Sequence, residues 1–347
     1  MSLRIGMVDF GGWFYPMCYT KVLAAMDEVD VAAGAFLADD EFMKTANYGT
    51  GRQNFVDELG ITPYDDIEKM VAAEKLDAVL IFGEYGRKAD HIETAAACGV
   101  DIFTTKPPAV TMEQMRRIVA AGEKHSVSIT VPEHTRFNGA IRRVRDSVCS
   151  GEIGNLIAAR VLHQHGHLTP ESLPQGHWYR LPENGGPEIS LGWYCAGMLQ
   201  WLVGSEPVRA YAEYDNYMTP VYPHMDNGKA VVRFANGVIG SADIYFSTEA
   251  PYPSTEVELV GSKGNIVARL FETVHAEVTV FKADGQTTFR SVENDSIYEE
   301  MRSWVAALGG KGKFEMPAGE AEKILELCVA WKESARTHEA VSLALEK

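Results

Sequence analysis

The first 130 residues alternate apolar runs of strand length with stretches in which apolar positions recur at helical spacing. The strand-like runs lie at residues 4–8, 31–37, 78–82, 102–104 and 128–131, and the clearest helical stretches at 89–98 and 112–124. Alternation of this kind is typical of βαβ units. The pattern therefore predicts a doubly wound parallel sheet in a first domain over residues 1–131.

Beyond Gly154 the pattern changes to strands that follow one another across short turns. The runs lie at residues 156–162, 208–214, 230–234, 238–246, 255–260, 265–270 and 276–281. Asn236-Gly237 is a strong hairpin signal, and Ser262-Lys263-Gly264 suits a second turn. We expect a second, α+β domain over residues 132–347, with a large, mainly antiparallel open sheet.

Two helical stretches accompany this sheet, at residues 189–202 and 319–336. In the second, Ile324, Leu327, Cys328 and Trp331 form an apolar stripe that predicts core packing. This C-terminal helix can pack back on the first domain.

Net charge, cysteine content and the length of apolar runs indicate which partners and which compartment to expect. A formal net charge of -16 repels nucleic acid and anionic membranes, so we expect neither. The five cysteines are scattered and lack CxxC spacing, which argues against disulfides and structural zinc. No apolar run approaches ~18 residues and no signal-peptide pattern is present. These features favour a cytoplasmic protein.

Ligands of an open parallel sheet bind outside the carboxyl ends of its strands. The segments that follow the five predicted strands are residues 9–12, 36–40, 83–85, 104–107 and 133–134. All five carry polar or glycine residues, which indicates a ligand cleft.

The first of these segments is an altered dinucleotide loop. The three glycine positions of a G-x-G-x-x-G loop hold Asp9, Gly11 and Phe14, so only the second is intact. An aspartate beside a pyrophosphate repels it unless the carboxylate caps the helix or the phosphates lie further away. The alternative interpretation is an ordinary strand-to-helix turn without a cofactor. Phe10 and Gly12 complete the candidate cofactor loop.

The carboxylate that binds the adenosine ribose is expected at the end of the second strand. An ungapped alignment places Phe36 there, and Asp39 or Asp40 can take the role if the loop is longer. Two aspartates at the start of a helix are also favoured by the helix dipole alone.

Lys106 follows a short strand and precedes a proline pair, and Pro107 disfavours a helix at the residue before it. Its ammonium group can hold a substrate hydroxyl; the alternative is a surface lysine.

The helix predicted at 189–202 places Ser190 and Tyr194 on one face, because they are four residues apart. A tyrosine near a lysine can exchange the proton of an alcohol or carbonyl, and packing at a domain interface is the alternative.

Three histidines alternate at the end of a strand, and a fourth follows in a loop: His163, His165, His167 and His177. Two-residue spacing along a strand separates imidazoles too far for three of them to share one zinc ion easily. We therefore expect no metal and prefer contacts to sugar hydroxyls. The full set of candidate substrate contacts is His134, Arg136, His163, His165, His177, Trp178, Ser190 and Tyr194.

The chain resembles the glucose-fructose oxidoreductase, inositol dehydrogenase and rhizopine-catabolism family, called Gfo/Idh/MocA, over nearly its whole length. The motifs that carry the resemblance are residues 5–12, Asp77-Ala78-Val79-Leu80-Ile81, residues 97–109, Arg136-Phe137-Asn138, Ser150-Gly151-Glu152-Ile153-Gly154, Trp178, Gly185-Gly186 with Leu191-Gly192, Phe234-Ala235-Asn236-Gly237, Gly261-Ser262-Lys263-Gly264 and Glu333-Ser334-Ala335-Arg336.

The resemblance implies an N-terminal Rossmann-type domain that binds NAD or NADP and a C-terminal sheet that contacts substrate. It also implies a homodimer or homotetramer through that sheet, and hydride transfer to or from a sugar or cyclitol. Lys106 matches the lysine of the family's Glu-Lys-Pro motif, although Thr105 replaces the glutamate. Tyr194 matches the position of a family histidine, and Ser190 that of an aspartate. Gly83-Glu84-Tyr85 replaces a Thr-Pro turn that lies against the nicotinamide.

Three functions remain open at this point. The preferred hypothesis is a dehydrogenase in which Tyr194 exchanges the proton and Lys106 orients the substrate hydroxyl. The second is a lyase or hydrolase, with or without a metal, in which Asp9, Glu84, Glu133 and the histidines act in a cleft without dinucleotide. The third is a ligand-binding protein without chemistry.

Overall fold

The structure is a computed structural model and describes residues 2–12, 15–166, 173, 176–217, 222, 224–271, 275–291 and 295–343. Internal contacts divide the chain into two compact units. The first comprises Met1–Pro132, Pro170–Gly185 and Ile297–Lys323, and the second Glu133–Thr169, Gly186–Ser296 and Ile324–Lys347. Each unit is thus built from three separate segments of the chain. The sequence predicted two continuous domains with a single boundary after residue 131.

The first unit contains six strands and six helices in its N-terminal segment. They are β1 (Leu3–Val8), α1 (Tyr15–Ala24), β2 (Val29–Ala35), α2 (Asp40–Ala46), α3 (Arg52–Leu59), β3 (Thr62–Tyr64), α4 (Ile67–Glu74), β4 (Ala78–Ile81), α5 (Lys88–Ala97), β5 (Asp101–Thr104), α6 (Met112–His125) and β6 (Ile129–Thr130).

All pairings in this sheet are parallel, and the strand order is β3-β2-β1-β4-β5-β6. The predicted doubly wound sheet is confirmed. The direction of winding reverses between β1 and β4, and ligands of such sheets bind at this switch point. The segments that follow β1 and β4 therefore flank the expected cleft.

The second unit is built around a nine-stranded sheet. Its elements, together with those of the C-terminal segment, are α7 (Gly139–Cys149), β7 (Leu156–Gly166), α8 (Gly186–Ser190), α9 (Gly192–Val203), β8 (Pro207–Asp215), β9 (Asn227–Phe234), β10 (Ile239–Thr248), β11 (Thr255–Gly261), β12 (Gly264–Leu270), β13 (Ala276–Lys282), β14 (Gly285–Ser291), α10 (Ser296–Leu308), α11 (Ala318–Thr337) and β15 (Val341–Ser342).

The order of this sheet is β14-β13-β12-β11-β7-β10-β9-β8-β15, and β7 with β10 is its parallel pair. The other strand pairings described in this sheet are antiparallel, as the sequence predicted. Both predicted turns are confirmed, because β9 and β10 join through Asn236-Gly237 and β11 and β12 through Ser262-Lys263.

The apolar stripe predicted on the C-terminal helix is core. Ile324, Leu327, Cys328 and Trp331 are each 0% exposed, and all four belong to the second unit. The Trp331 indole N–H donates to the carbonyl oxygen of Val231 at 3.2 Å, which joins α11 to β9.

The prediction of a single helix over residues 189–202 is wrong. The chain forms α8 and α9, with Leu191 between them, and the N–H of Tyr194 donates to the carbonyl oxygen of Leu191 only three residues back. This tightened turn interrupts the helix. Ser190 and Tyr194 consequently lie in different helices.

Helix α10 is an element that the periodicity did not reveal. Met301, Trp304 and Val305 pack into the aromatic core of the first unit, and the rings of Trp304 and Phe103 lie 5.3 Å apart. In the same core, the hydroxyl of Tyr19 donates to the buried carboxylate of Glu300 at 2.9 Å. This helix therefore completes the packing behind the parallel sheet.

Candidate active site

Asp9 occupies the first position of the altered glycine loop with the backbone that a glycine would supply. Its φ of 54° lies in the left-handed region of backbone conformations, which residues other than glycine, asparagine and aspartate rarely adopt. Its carboxylate accepts the N–H of Gly11 at 3.3 Å and lies 3.1 Å from Nε2 of His91. Because Asp9 is 2% exposed, the carboxylate is bound inside the protein.

Gly12 allows the loop to lie directly against the end of β4. A Cβ at Gly12 would lie 2.7 Å from Cβ of Phe82 and 2.9 Å from the backbone nitrogen of Gly83. Gly11 is similarly close to the ring of Phe42, at 3.0 Å. Contact therefore requires a glycine at residue 12, and a side chain at residue 11 would have to displace the Phe42 ring. Phe14, at the third glycine position, lies outside the described residues.

Gly83 lies directly beside the carboxylate of Asp9. Gly83 has a φ of +56°, and a Cβ there would lie 2.5 Å from Oδ2 of Asp9. The N–H of Gly83 also donates to the carbonyl oxygen of Asp9 at 2.8 Å. The glycine after β4 thus makes room for the aspartate after β1.

Gly83→Ala is expected to lower the free energy of unfolding more than Gly60→Ala. Both glycines have a left-handed backbone, but nothing lies within 4 Å of a Cβ at Gly60, whereas at Gly83 the carboxylate of Asp9 is in the way. We expect the difference between the two losses to be about 1–3 kcal/mol, measured by urea denaturation. Equal losses would show that the Asp9 carboxylate is not fixed beside Gly83.

Three predicted cofactor residues are placed in the protein interior or in a helix cap. Phe10 and Phe36 are buried, and their rings stack at 4.3 Å with an interplanar angle of 11°. Asp39 caps α2, since its carboxylate accepts the N–H of Phe42 at 2.9 Å. Phe10 and Phe36 are apolar and packed in the core, so neither supplies the carboxylate of the expected ribose contact, whereas the cap uses only Oδ1 of the exposed Asp39.

Arg52 lies closer to this region than its sequence position suggests. Its guanidinium group lies 5.0 Å from the centre of the Phe36 ring, just beyond the end of β2. Arg52 lies 16 residues after Phe36 in the sequence, at the start of α3, so it looks distant from the end of β2 until the chain is folded. A cation thus lies where the fold commonly binds the adenosine ribose.

The loop after β4 is held by a residue far along the chain. The Asn184 amide donates to a carboxylate oxygen of Glu84 at 3.2 Å and accepts the N–H of Gly86 at 2.8 Å. The ring of Tyr85 packs edge-on against Trp178 at 4.8 Å. Burial raises the pKa of Glu84, and the Asn184 hydrogen bond opposes this shift.

Lys106 follows β5 and is 4% exposed, so it is not the surface lysine of the alternative interpretation. The segment before it is tied to β4, because the N–H of Thr105 donates to the carbonyl oxygen of Ile81 at 3.1 Å. A second buried lysine, Lys88, donates to the same segment and was missed in the sequence. A lysine at a helix start carries no pattern that distinguishes it from a surface residue.

In the second unit, two predicted residues, His163 and His134, lie next to Tyr194. Its ring lies 4.1 Å from that of His163 and 5.6 Å from that of His134, the latter edge-on. His163 is itself oriented, because its Nδ1 lies 2.9 Å from the hydroxyl of Thr255. Tyr194 is 8% exposed, so the cluster is largely shielded from water.

Three other residues of this unit were predicted to contact substrate. His165 is exposed and packs on Phe246 at 5.4 Å. The guanidinium of Arg136 lies 5.3 Å from the Trp201 ring, and Arg136 is 4% exposed. Ser190 is buried at the end of α8.

His177 and Trp178 belong to the first unit and are both 1% exposed. His177 starts a short 3₁₀ helix, and its Nδ1 accepts the N–H of Tyr179 at 3.1 Å. Burial, together with the charge of Arg180, lowers the pKa of His177 to about 4, so the ring is neutral near pH 7. The cap gives the His177 ring a fixed place at the start of this helix.

Glu133 is a fully buried acid that was considered only for a non-redox function. It accepts a hydrogen bond from the hydroxyl of Thr135, and a Cβ at Gly197 would lie 3.2 Å from its other oxygen. Gly197 therefore leaves room for it beside α9. Within the described ranges, no three His, Cys, Asp or Glu side chains are grouped to hold a metal, and His167 lies outside those ranges.

The segments beside the switch point could hold a dinucleotide. Asp9 retains a glycine-like backbone, Gly11 and Gly12 present no side chain, and the Asp9 carboxylate is bonded inward. A backbone free of side chains is what close approach to a pyrophosphate requires. The repulsion expected from Asp9 is reduced because His91 and Gly11 bind its carboxylate.

A doubly wound sheet with this loop at its switch point is the architecture of a dinucleotide-binding domain. The comparisons agree. The family model for the NAD-binding Rossmann fold of the Gfo/Idh/MocA oxidoreductases matches residues 37–133, and the model for the C-terminal domain of the same family matches residues 141–267. The chain belongs to the Gfo/Idh/MocA oxidoreductase family.

Individual relatives extend this comparison. The 1,5-anhydro-D-fructose reductase of Ensifer adhaerens is 29% identical over 231 residues, which cover 66% of each chain, just under two thirds of the reductase. The D-xylose 1-dehydrogenase (NADP+) 2 of Haloferax volcanii is 24% identical over 338 residues, 93% of this chain and 95% of that protein. The structure of an oxidoreductase from Agrobacterium radiobacter in complex with NAD+, L-tartaric acid and magnesium superposes with a TM-score of 0.82 at 20% identity, covering 99% of this chain and 98% of that one.

The structural similarity at this identity establishes the fold. Among the described helices, none is both long and apolar enough to cross a lipid bilayer.

Proposed function

We propose that the protein is an NAD(P)-dependent dehydrogenase or reductase that interconverts an alcohol and a carbonyl on a sugar, cyclitol or related polyhydroxylated molecule. The observation that carries this proposal is the loop after β1, which keeps a left-handed backbone and two glycines although Asp9 replaces the first glycine. The names of the sugar-active relatives support the substrate class.

The residues proposed to hold the dinucleotide are those beside the switch point. The backbone of Asp9 with Gly11 and Gly12 faces the pyrophosphate, while Gly83 and Glu84 line the neighbouring loop. When bound, NAD(P) supplies the acceptor or donor of a hydride. Phe10, Phe36 and Asp39 contribute to this site through the loop and helix they stabilise.

The residues proposed to act on the substrate are Lys106 and Tyr194. Lys106 donates a hydrogen bond to the reacting oxygen, and its positive charge favours the alkoxide character that develops there. Tyr194, in its phenolate form, accepts the alcohol proton during oxidation, and the resulting phenol returns that proton during reduction. His134 and His163 hold the tyrosine ring and offer nitrogen atoms to substrate hydroxyls.

A substrate screen tests the reaction. Purified protein is incubated with NAD+ or NADP+ and a panel of aldoses, inositols and sugar acids, and formation of reduced cofactor is followed by absorbance. We expect turnover with at least one polyhydroxylated alcohol. Binding of the dinucleotide without turnover of any member, in either direction, would contradict the proposed substrate class.

Arg52 supports a preference for NADP. The end of β2 presents Phe36 in place of a ribose-binding carboxylate, and the Arg52 guanidinium lies over that ring. Arginine at this place accommodates a 2′-phosphate in related folds. Its partner Asp65 is 76% exposed, so a phosphate can compete for the guanidinium in water.

Arg52→Ala is therefore expected to weaken NADPH binding by about tenfold, equivalent to loss of one charge-assisted contact, while NADH binding changes little. Calorimetric titration of both cofactors measures the two constants. Arg116→Ala, which removes an exposed arginine from α6, serves as the control for net charge. An equal effect of Arg52→Ala on both cofactors would exclude a contact with the 2′-phosphate.

We also propose a homodimer or homotetramer through the nine-stranded sheet, in a cytoplasmic protein. Exposed apolar side chains on its strands support such a contact, among them Val231 at 42%, Ile239 at 46% and Phe281 at 39%. The five cysteines are scattered along the chain without CxxC spacing, a pattern that suits a reducing compartment. Light scattering coupled to gel filtration measures the mass in solution.

A further inference from the structure

Lys88, the first residue of α5, is a lysine with no exposed surface. Its ammonium donates to the carbonyl oxygen of Thr105 at 2.5 Å, to the hydroxyl of Thr105 at 2.7 Å and to the carbonyl oxygen of Pro107 at 3.1 Å. An ammonium group has three N–H donors. All of them are used within the protein, so Lys88 has no donor left for a ligand.

The acceptors of Lys88 lie on both sides of Lys106. The carbonyl groups of residues 105 and 107 converge on one ammonium, and Thr105 is also tied to β4 through its N–H bond to Ile81. The backbone that carries Lys106 is thus fixed from the sheet and from α5. The ring of Tyr85, 4.8 Å from the Lys88 ammonium, closes the remaining side.

A buried ammonium is a costly way to hold a loop. Burial, and then the charge of Lys106, lower the pKa of Lys88 well below its usual value, while Asp9 opposes the shift. A neutral donor could bind the same carbonyl groups at a smaller desolvation cost. Costly buried polar groups of this kind concentrate where a site needs fixed geometry.

We propose that Lys88 is a positioning residue for Lys106, and that it fixes the backbone on both sides of Lys106 so that this side chain meets the substrate in one orientation. The inference rests on the proposed function, because Lys106 is the group that it positions. It assigns no contact between Lys88 and substrate or cofactor.

Lys88→Met tests this role in the full-length protein, with the substrate that the wild type oxidises best. Methionine fills the site but leaves the carbonyl groups without their donor. We expect kcat to fall by about 100-fold, the loss typical of a displaced catalytic group, while KM and the NAD(P)H dissociation constant change less than about threefold. Amide hydrogen exchange of residues 104–109 should become faster.

The matched control is Lys124→Met, the same chemical change at an exposed position of α6 in the same unit. It should leave kcat and the exchange of residues 104–109 at the wild-type values. If Lys88→Met does not fold, Thr105→Val removes one of the three acceptors and should lower kcat about threefold to tenfold. Thr105→Ser keeps the hydroxyl and should recover most of that loss.

The outcomes separate the inference from the proposed function. A Lys88→Met protein with wild-type kcat, or one whose melting temperature, cofactor affinity and kcat all fall together, overturns the positioning role. Thr105→Val and Thr105→Ser proteins of equal kcat overturn it as well. A wild-type protein without turnover contradicts the proposed function instead, and unchanged exchange of residues 104–109 in Lys88→Met would then overturn the inference.

Discussion

Lys106→Met is expected to lower kcat of the proposed oxidation by about 100- to 1,000-fold while the protein stays folded. Methionine keeps much of the length of the side chain and removes its charge and its donors. Lys106 is only 4% exposed, so water does not readily replace the lost interaction. Steady-state kinetics at saturating cofactor, with thermal denaturation of the same preparation, measures both parts of the prediction.

Lys106→Arg and Lys124→Met are the controls for this experiment. Arginine keeps the charge but changes the geometry of the donors, so it should retain part of the activity. The exposed Lys124 on α6 tests the loss of a positive charge at a distance. Full activity of Lys106→Met would remove Lys106 from the mechanism, and the positioning role of Lys88 would lose its basis.

Tyr194→Phe is expected to lower kcat by about 100-fold or more with a smaller change in KM, because it removes the group that exchanges the proton. The ring itself should stay between His134 and His163, since phenylalanine makes the same ring contacts. The hydroxyl is therefore the only group lost. Steady-state kinetics in both reaction directions, with unfolding curves, measures the effect.

Tyr211→Phe is the control for loss of a tyrosine hydroxyl in the same unit, because Tyr211 lies on β8 and its hydroxyl binds only the nearby Glu213 carboxylate in the described contacts. It should not alter kcat. If Tyr194→Phe keeps wild-type kcat, the proton must be exchanged by another group, and His163, in contact with the Tyr194 ring, is the first to test.

Periodicity was sufficient to predict the type of both sheets because most of their strands are short apolar runs, but the short strands β3 and β15 and the polar strand β14 were missed. It also missed α10, whose Trp304 packs against Phe103 of β5, 201 residues earlier in the chain. It also joined α8 and α9, because a tightened turn at Leu191 leaves the apolar pattern unbroken. Contacts distant in sequence and local backbone changes leave no mark on periodicity.

The same limit explains which site residues were found. Lys106 was identified because it follows a strand end and matches a family motif, and both are local properties of the sequence. Lys88 and His91 act through contacts with Thr105 and Asp9, 17 and 82 residues away. No spacing rule connects such pairs, so their roles required the three-dimensional structure.

Asp9 illustrates how the structure changed an interpretation. In the sequence it was a charge that should repel a pyrophosphate. In the structure its carboxylate is bound by His91 and the Gly11 N–H, and Gly83 provides the space for it. The loop therefore keeps the backbone needed for a dinucleotide although the glycine pattern is lost.

Fluorescence titration of the purified protein with NADH and with NADPH tests whether the altered loop binds a nicotinamide dinucleotide. We expect saturable binding of at least one of the two reduced cofactors at micromolar concentrations. We also expect competition by the corresponding oxidised cofactor. Absence of binding of both NADH and NADPH up to millimolar concentration would contradict a dinucleotide site at this loop.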